Sequence, residues 1–214
     1  MKILCINTAF SVASLALKTE NGEDFLTLDA NAKSSEKVLL AIDNLLQKNG
    51  VQIGEIDVIA LVVGPGSFTG VRIGVALVKG FCVALPHIKV VAVNSLDLMA
   101  HEYAKKNVLG QNFCGVQNAL GGRFFLREYT SDATPLGHAK LVGELPAETK
   151  VGLKTEALSE ADVFVDCQPM ELLEYSQILI EEKVFVDAKI LEPVYIRLSQ
   201  AEENLQKRED NAEN

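Results

Sequence analysis

The sequence has no excess of positive charge, no CxxC pair, no long apolar run and no intact catalytic signature, and each gap removes a class of function. Its 20 Lys and Arg against 29 Asp and Glu give a formal net charge of −9. Attraction to a phosphate backbone needs a basic surface, so this charge argues against nucleic-acid binding by the chain alone, and a partner would have to supply such a surface. No apolar run reaches the roughly 18 residues of a membrane span. The opening MKILCINTAF has a short apolar core interrupted by Asn7, so it reads as a strand and not as a secretory signal. The four cysteines, Cys5, Cys82, Cys114 and Cys167, are far apart in the chain and are expected to be buried and reduced, which points to the cytoplasm.

Signatures that begin also fail to finish. Gly70 is followed by Val71 and Arg72 where a Walker A loop needs Lys and then Ser or Thr. The spacing Gly64-x-Gly66-x-x-x-Gly70 is one residue too long for a dinucleotide fingerprint. His101-Glu102 opens an HExxH pattern, but Lys105 stands at its last position. Ser67 has no GxSxG frame, and His87 and His138 are isolated. No catalytic residue, metal ligand or cofactor is assigned. Arg123 and Arg127 share a face of one strand-like run and read as a solvent edge, with contact to an anion or a partner as the alternative, and Glu171, Glu174, Glu181 and Glu182 read as a solvated helix face.

What is present is an ordered α/β pattern. Short apolar runs at Lys2–Thr8, Val12–Thr19 and Phe25–Ala30 predict a meander, with Asn21-Gly22 as a turn. A helix capped by Ser34 or Ser35 runs to about Asn49, and Ile56–Val63 is a central parallel strand. The glycine loop GPGSFTGVRIG (Gly64 to Gly74) then leads into a helix from about Gly70 to Leu85, followed by a strand at Lys89–Val93 and a helix capped by Ser95. The order β-β-β-α-β-α-β-α is repeated loosely after residue 107, with a helix at Met170–Glu182 and a polar tail from Ala201. The expectation is a duplicated fold: domains at 1–106 and 107–200, the second reduced, and a tail at 201–214.

The loop residues Gly64, Pro65, Gly66, Ser67, Gly70 and Arg72 stand at a strand-to-helix junction where an anion can bind, but packing is the stronger reading. Between Gly70 and Leu85 the only charges are Arg72 and Lys79, which share one face. A helix covered on one side carries a polar stripe nearly as wide as its apolar one, and this stripe is narrow. The helix is therefore expected to be covered by its own sheet and by a second body. Gly70 and Gly74 would admit another backbone, and Val71, Val75, Val78 and Cys82 would complete the contact. On the earlier helix, Leu40 stands beside Asp43 and Gln47, opposite the core stripe. The two helices would form half of a four-helix bundle. A charge at Gly74 or Val78 is expected to abolish pairing without unfolding the monomer.

These residues resemble the TsaB (YeaZ) family. The resemblance rests on GPGSFTGVRIG preceded by DVIALVVG, on ILCINTA, SSEKVLLAI, VNSLDLMA and LEPVYIR, and is strongest over residues 1–105. It implies an actin-like (ASKHA, ribonuclease H-like) duplicated fold. It also implies a non-catalytic subunit that docks a TsaD-like enzyme through its first domain, with a TsaE-like ATPase joining them, in threonylcarbamoyl transfer to adenosine 37 of tRNA. Alone, such a subunit is expected to form a homodimer. The HxxxH metal pair of the TsaD-like enzyme matches Ser95 and Met99 here, and the chain carries Asn7, Ser34 and Asn118 where the family commonly has Asp, His and Asp. In this fold the turns after Asn7 and Gln117 face the cleft where catalytic members hold Mg²⁺ through carboxylates. The alternatives are an actin-like ATPase or phosphotransferase using that cleft, and a homodimeric regulator of another process.

Overall fold

A computed structural model describes residues 1–28, 35–106, 110–156 and 158–196. The expected cap at Ser34, most of the expected linker and the polar tail fall outside these residues.

The first sheet contains β1 (Ile3–Asn7), β2 (Ser14–Thr19), β3 (Gly22–Thr27), β4 (Val58–Gly64) and β5 (Lys89–Asn94), ordered β3-β2-β1-β4-β5. β1, β2 and β3 form an antiparallel meander, and β4 and β5 add in parallel on the other side of β1. β3 starts earlier than the apolar pattern predicts. Thr19 pairs with Gly22 across a two-residue turn, which fixes the register. Helix α1 (Ser35–Lys48) precedes β4, α2 (Phe68–Ala84) joins β4 to β5, and α3 (Ser95–Ala104) follows β5.

The second sheet contains β6 (Phe113–Asn118), β7 (Phe124–Tyr129), β8 (Lys140–Val142), β9 (Thr149–Leu153) and β10 (Val163–Val165), ordered β10-β9-β6-β7-β8. Read from β8, the order and strand directions repeat those of the first sheet. The fold is thus a duplicated actin-like, ribonuclease H-like α/β fold. The repeat is reduced: among the described residues no helix joins β8 to β9 or β9 to β10, and only α4 (Pro169–Glu181) follows.

β1 is buried on both faces because its side chains alternate between two cores. Ile3 and Cys5 enter the cluster between the sheets, while Leu4 and Ile6 enter the cluster under α1 and α2. The central layer holds α3 and α4. α4 packs on β1, β2 and β3 of the first sheet, whereas α3 packs on β6, β7, β9 and β10 of the second as well as on β4 and β5. Each half thereby covers the other's sheet. A polar clasp fixes this exchange: Arg127 on β7 reaches the Asp97 carboxylate on α3 at 2.8 Å, and the Tyr129 hydroxyl donates to the same carboxylate at 2.7 Å. Arg127 is therefore a structural residue and not the solvent edge its sequence context predicts. Burial, and then the Asp97 charge, hold the Tyr129 hydroxyl well above its ordinary pKa, so it stays a donor. Lys105 joins α3 to α4 by pairing with both Glu102 and Glu174 at 2.6 Å, and His101 stacks on Tyr175. Glu102 is buried, and Glu174 is tied to α3 instead of standing free on a solvated face.

All four cysteines are free; Cys5, Cys114 and Cys167 are buried and Cys82 is half-buried. Burial pushes the Cys5 thiol up to about 12. Among the described residues, no helix is long and apolar enough to cross a membrane.

The seating of α2 is close. A Cβ on Gly70 would fall 1.9 Å from the Thr8 carbonyl oxygen, and one on Gly66 would fall 2.4 Å from that of Ala9. At Gly74 it would meet Thr8 Oγ1 at 2.6 Å and Leu61 Cδ1 at 2.7 Å. Gly80, on the same helix, has nothing within 4 Å. Gly70→Ala should therefore cost about 3 kcal/mol or more, because the clash is with backbone. Gly80→Ala should stabilise the chain by about 0.5–1 kcal/mol through helix propensity. Urea unfolding of the two variants checks both signs.

Candidate docking face and interdomain cleft

α2 begins at Phe68, two residues earlier than the glycine pattern predicts, because Ser67 caps it: its Oγ accepts from the Gly70 amide at 3.3 Å. At 100° per residue, Gly70, Val71, Gly74, Val75 and Val78 then share one side. All five are buried against the chain's own sheet. This corrects their expected place on a partner-facing surface. The glycines do admit a second backbone closely, but it is the Thr8–Ala9 turn of the same chain. A charge at Gly74 or Val78 would break the core and could not report on pairing. Cys82 packs at the margin of the same core.

The other side of α2 is also apolar. Phe68, Thr69, Arg72, Ile73, Ala76, Leu77, Gly80 and Phe81 line a groove of about 630 Å³ with Ser35 and Leu39 of α1. Val83, 84% exposed, and Leu40, 57% exposed, extend the apolar surface beyond it. Asp43 and Gln47 lie exposed on α1, linked by a 2.7 Å hydrogen bond from Gln47 Nε2 to Asp43. The expectation of a helix apolar around most of its circumference describes this helix correctly, but the faces were exchanged. With a polar stripe of only Arg72 and Lys79, the sequence offers little to set the rotational phase of α2. Phe68, Ile73, Leu77, Phe81 and Leu39 were therefore missed.

The glycine loop uses its polar groups internally. The Ser67 amide donates to Ala9 O at 2.7 Å, Ser95 Oγ donates to Pro65 O at 2.5 Å, and Val194 N donates to Val63 O at 2.8 Å. Gly64 has φ +102°, a conformation that favours glycine. Arg72 projects from the second turn of α2. Its guanidinium lies 3.8 Å from the Phe68 ring centroid, and its Nε donates to the Tyr195 hydroxyl at 2.9 Å. Tyr195 comes from the C-terminal segment, 123 residues further along the chain; it lies in the LEPVYIR stretch that carries part of the resemblance, but nothing there assigned it a contact with Arg72.

Phe68, Thr69 and Arg72 also form one wall of a second cavity, the interdomain cleft of about 690 Å³. Ser11, Ser67, Asn118, Phe125, Glu156 and Tyr195 are among its other lining groups. The two amides anticipated near the cleft are committed to their own turns. Asn7 Oδ1 accepts from Ala9 N at 3.0 Å and from Phe10 N at 3.4 Å, and Asn118 Oδ1 accepts from Leu120 N at 2.7 Å. Below them, Ser95 Oγ also lies 2.9 Å from Gln117 Oε1, so its single proton is shared between that oxygen and the Pro65 carbonyl, and Gln117 Nε2 donates to Glu156 at 3.2 Å. Glu156 is the carboxylate of this cleft, and it lies on a connection with no motif. Ser95 and Met99 are both buried, Ser95 within this hydrogen-bond chain and Met99 in the apolar core. Among the described residues, no three His, Cys, Asp or Glu side chains are grouped to hold a metal.

The family model for TsaD, the tRNA N6-adenosine threonylcarbamoyltransferase, matches residues 27–112. The tRNA threonylcarbamoyladenosine biosynthesis protein TsaB of Escherichia coli is 28% identical over 75% of this chain and 65% of its own length. TsaB of Buchnera aphidicola (Baizongia pistaciae) is 33% identical, over 47% of this chain and 45% of its own. The match therefore spans about half to two thirds of these relatives. TsaB of Bacillus subtilis is 28% identical over 94% of this chain and 96% of its own. The solved structure of YeaZ from Pseudomonas aeruginosa superposes with a TM-score of 0.73 over 91% of this chain and 99% of that one, at 22% identity, which supports the fold. Over most of its length the chain is similar to TsaB (YeaZ) proteins.

Proposed function

We propose that this chain is a non-catalytic subunit in the biosynthesis of threonylcarbamoyladenosine in tRNA, and that it docks and supports a TsaD-like enzyme through the outer faces of α1 and α2. The observation that carries the reading is the uncovered apolar groove between these helices, on the half of the chain with the strongest family resemblance. Contiguous exposed apolar surface marks a contact site. A groove between two helices suits a helix from another chain, completing a four-helix bundle. In this reading a TsaE-like ATPase joins the pair in the cytoplasm, tRNA is contacted by the enzyme, and a second copy of the chain covers the groove when the enzyme is absent.

An ATPase or phosphotransferase working in the interdomain cleft is the second reading, supported by the size of that cleft and by Glu156. It is weakened because Asn7 and Asn118 carry no charge and their oxygens are engaged in their turns.

Two experiments separate these readings. Ala76 is exposed on the outer side of α2, while Val78 is buried on the inner side. Ala76→Asp should leave the melting temperature nearly unchanged and abolish co-purification with the host's TsaD-like chain. Val78→Asp should cost about 4 kcal/mol or more by burying a charge. Retention of the partner by Ala76→Asp at wild-type levels contradicts the docking reading. For the second, Mg²⁺-ATP at millimolar concentration should shift the melting temperature of the isolated chain by less than about 2 °C, with no turnover. A larger shift with phosphate release favours the enzyme.

A further inference from the structure

The groove on α1 and α2 is apolar except at one end. Arg72 is the one charged side chain among its described lining residues. The way it is held limits what can cover it. Phe68 lies under the guanidinium plane and Tyr195 fixes Nε from the side, with the two rings 5.8 Å apart. The terminal nitrogens have no hydrogen-bond partner among the described residues. The donor fork is thus oriented in advance, with its outer edge open. Any chain that fills the groove will also remove water from that edge. A buried guanidinium without a counter-charge costs several kcal/mol, whereas a carboxylate accepts from both terminal nitrogens in one plane.

Resting on the docking reading above, we propose that the helix occupying this groove presents an Asp or Glu carboxylate to Arg72, and that Tyr195 is the positioning residue that holds the guanidinium for it. The partner is then an apolar helix face interrupted by one acid, with the acid seated over the second turn of α2. The helix dipole of α2 favours an anion near this end as well. Complementarity selects the source of the anion. Around Arg72 the groove offers Ile73, Ala76, Leu77 and Phe81, which suit aliphatic side chains, and the chain's net charge of −9 disfavours an RNA backbone there. The other anion that Arg72 could meet is a phosphate in the adjoining cleft, whose wall it shares.

The test measures affinity for the host's TsaD-like chain at low and high salt, for wild type, Arg72→Gln, Arg72→Lys, Tyr195→Phe and Ala76→Asp, each first shown to melt like wild type. Arg72→Gln should weaken binding by about tenfold or more and flatten its salt dependence. Arg72→Lys should not restore it, because an ammonium cannot make the planar double contact. Tyr195→Phe should give a smaller loss that keeps the salt dependence. Arg72→Glu, measured beside them, should bind worse than Arg72→Gln and should recover when the partner's acid is changed to Lys. If Arg72→Gln binds within about twofold of wild type while Ala76→Asp does not bind, docking stands and the carboxylate contact is refuted. If neither variant changes binding, or no complex forms with wild type, both readings fail. If Arg72→Gln instead removes a melting shift caused by Mg²⁺-ATP and leaves partner affinity intact, Arg72 serves a phosphate and the proposal is overturned.

Discussion

The architecture depends on how closely α2 sits on the turn that follows the first strand. Three glycines, Gly66, Gly70 and Gly74, bring the loop and helix against Thr8, Ala9 and Leu61 at distances that leave no room for a Cβ. Thr8 Oγ1 seals the contact by donating to the Gly70 carbonyl at 2.7 Å. This seating fixes the rotation of α2 and buries the side carrying Val71, Val75 and Val78. Phe68 is left exposed, and Ile73, Leu77 and Phe81 only partly covered, beside α1. A glycine-rich loop at a strand-to-helix junction suggests phosphate, but here the loop amide of Ser67 is spent on Ala9 and the Pro65 carbonyl on Ser95. The motif places a helix.

The second half of the chain explains why the helical surface lies on one side only. The strand order is repeated, but the described connections between β8, β9 and β10 contain no helices, and the outer face of that sheet is covered by a small cluster around Cys114, Val116, Leu126 and Leu158. Among the described residues, both α-helices outside the sheets belong to the first half. The helices between the sheets, α3 and α4, are exchanged across the interface and tied by Asp97, Arg127 and Tyr129. That clasp is a charge-assisted contact with partly buried groups on both sides, so it holds the cleft walls in a fixed relation. The groove and the cleft meet at Phe68, Thr69 and Arg72, which makes the start of α2 the place where the two sites share residues.

Element order was legible in the sequence because apolar periodicity and turn residues report on local burial. Asn21-Gly22 marked a hairpin, Ile56–Val63 a central strand, observed at Val58–Gly64, and Ser95 the start of a helix, although the cap is Asn94, whose Oδ1 accepts from Leu96 N, and not Ser95. The phase of α2 was not legible, since both of its sides are apolar and a pattern argument needs contrast. The choice of the glycine side as the outer one was reasonable from spacing alone and was corrected by the position of Thr8. The role of Glu156, and that of Tyr195 within the LEPVYIR stretch, were not legible for a different reason: each becomes meaningful only when distant segments meet. Asn7 and Asn118 were placed correctly at the turns, but their oxygens proved to be caps for those turns and not groups offered to the cleft.

The central claim is that the outward side of α1 and α2 is a joint completed by another polypeptide. Amide hydrogen exchange of the full chain, alone at low concentration and then with the TsaD-like chain added, addresses it directly. The account predicts new protection concentrated in α1 and α2 and at the segment around Tyr195, with the second sheet unchanged. Protection confined to β6–β10, or none anywhere despite complex formation, would contradict it.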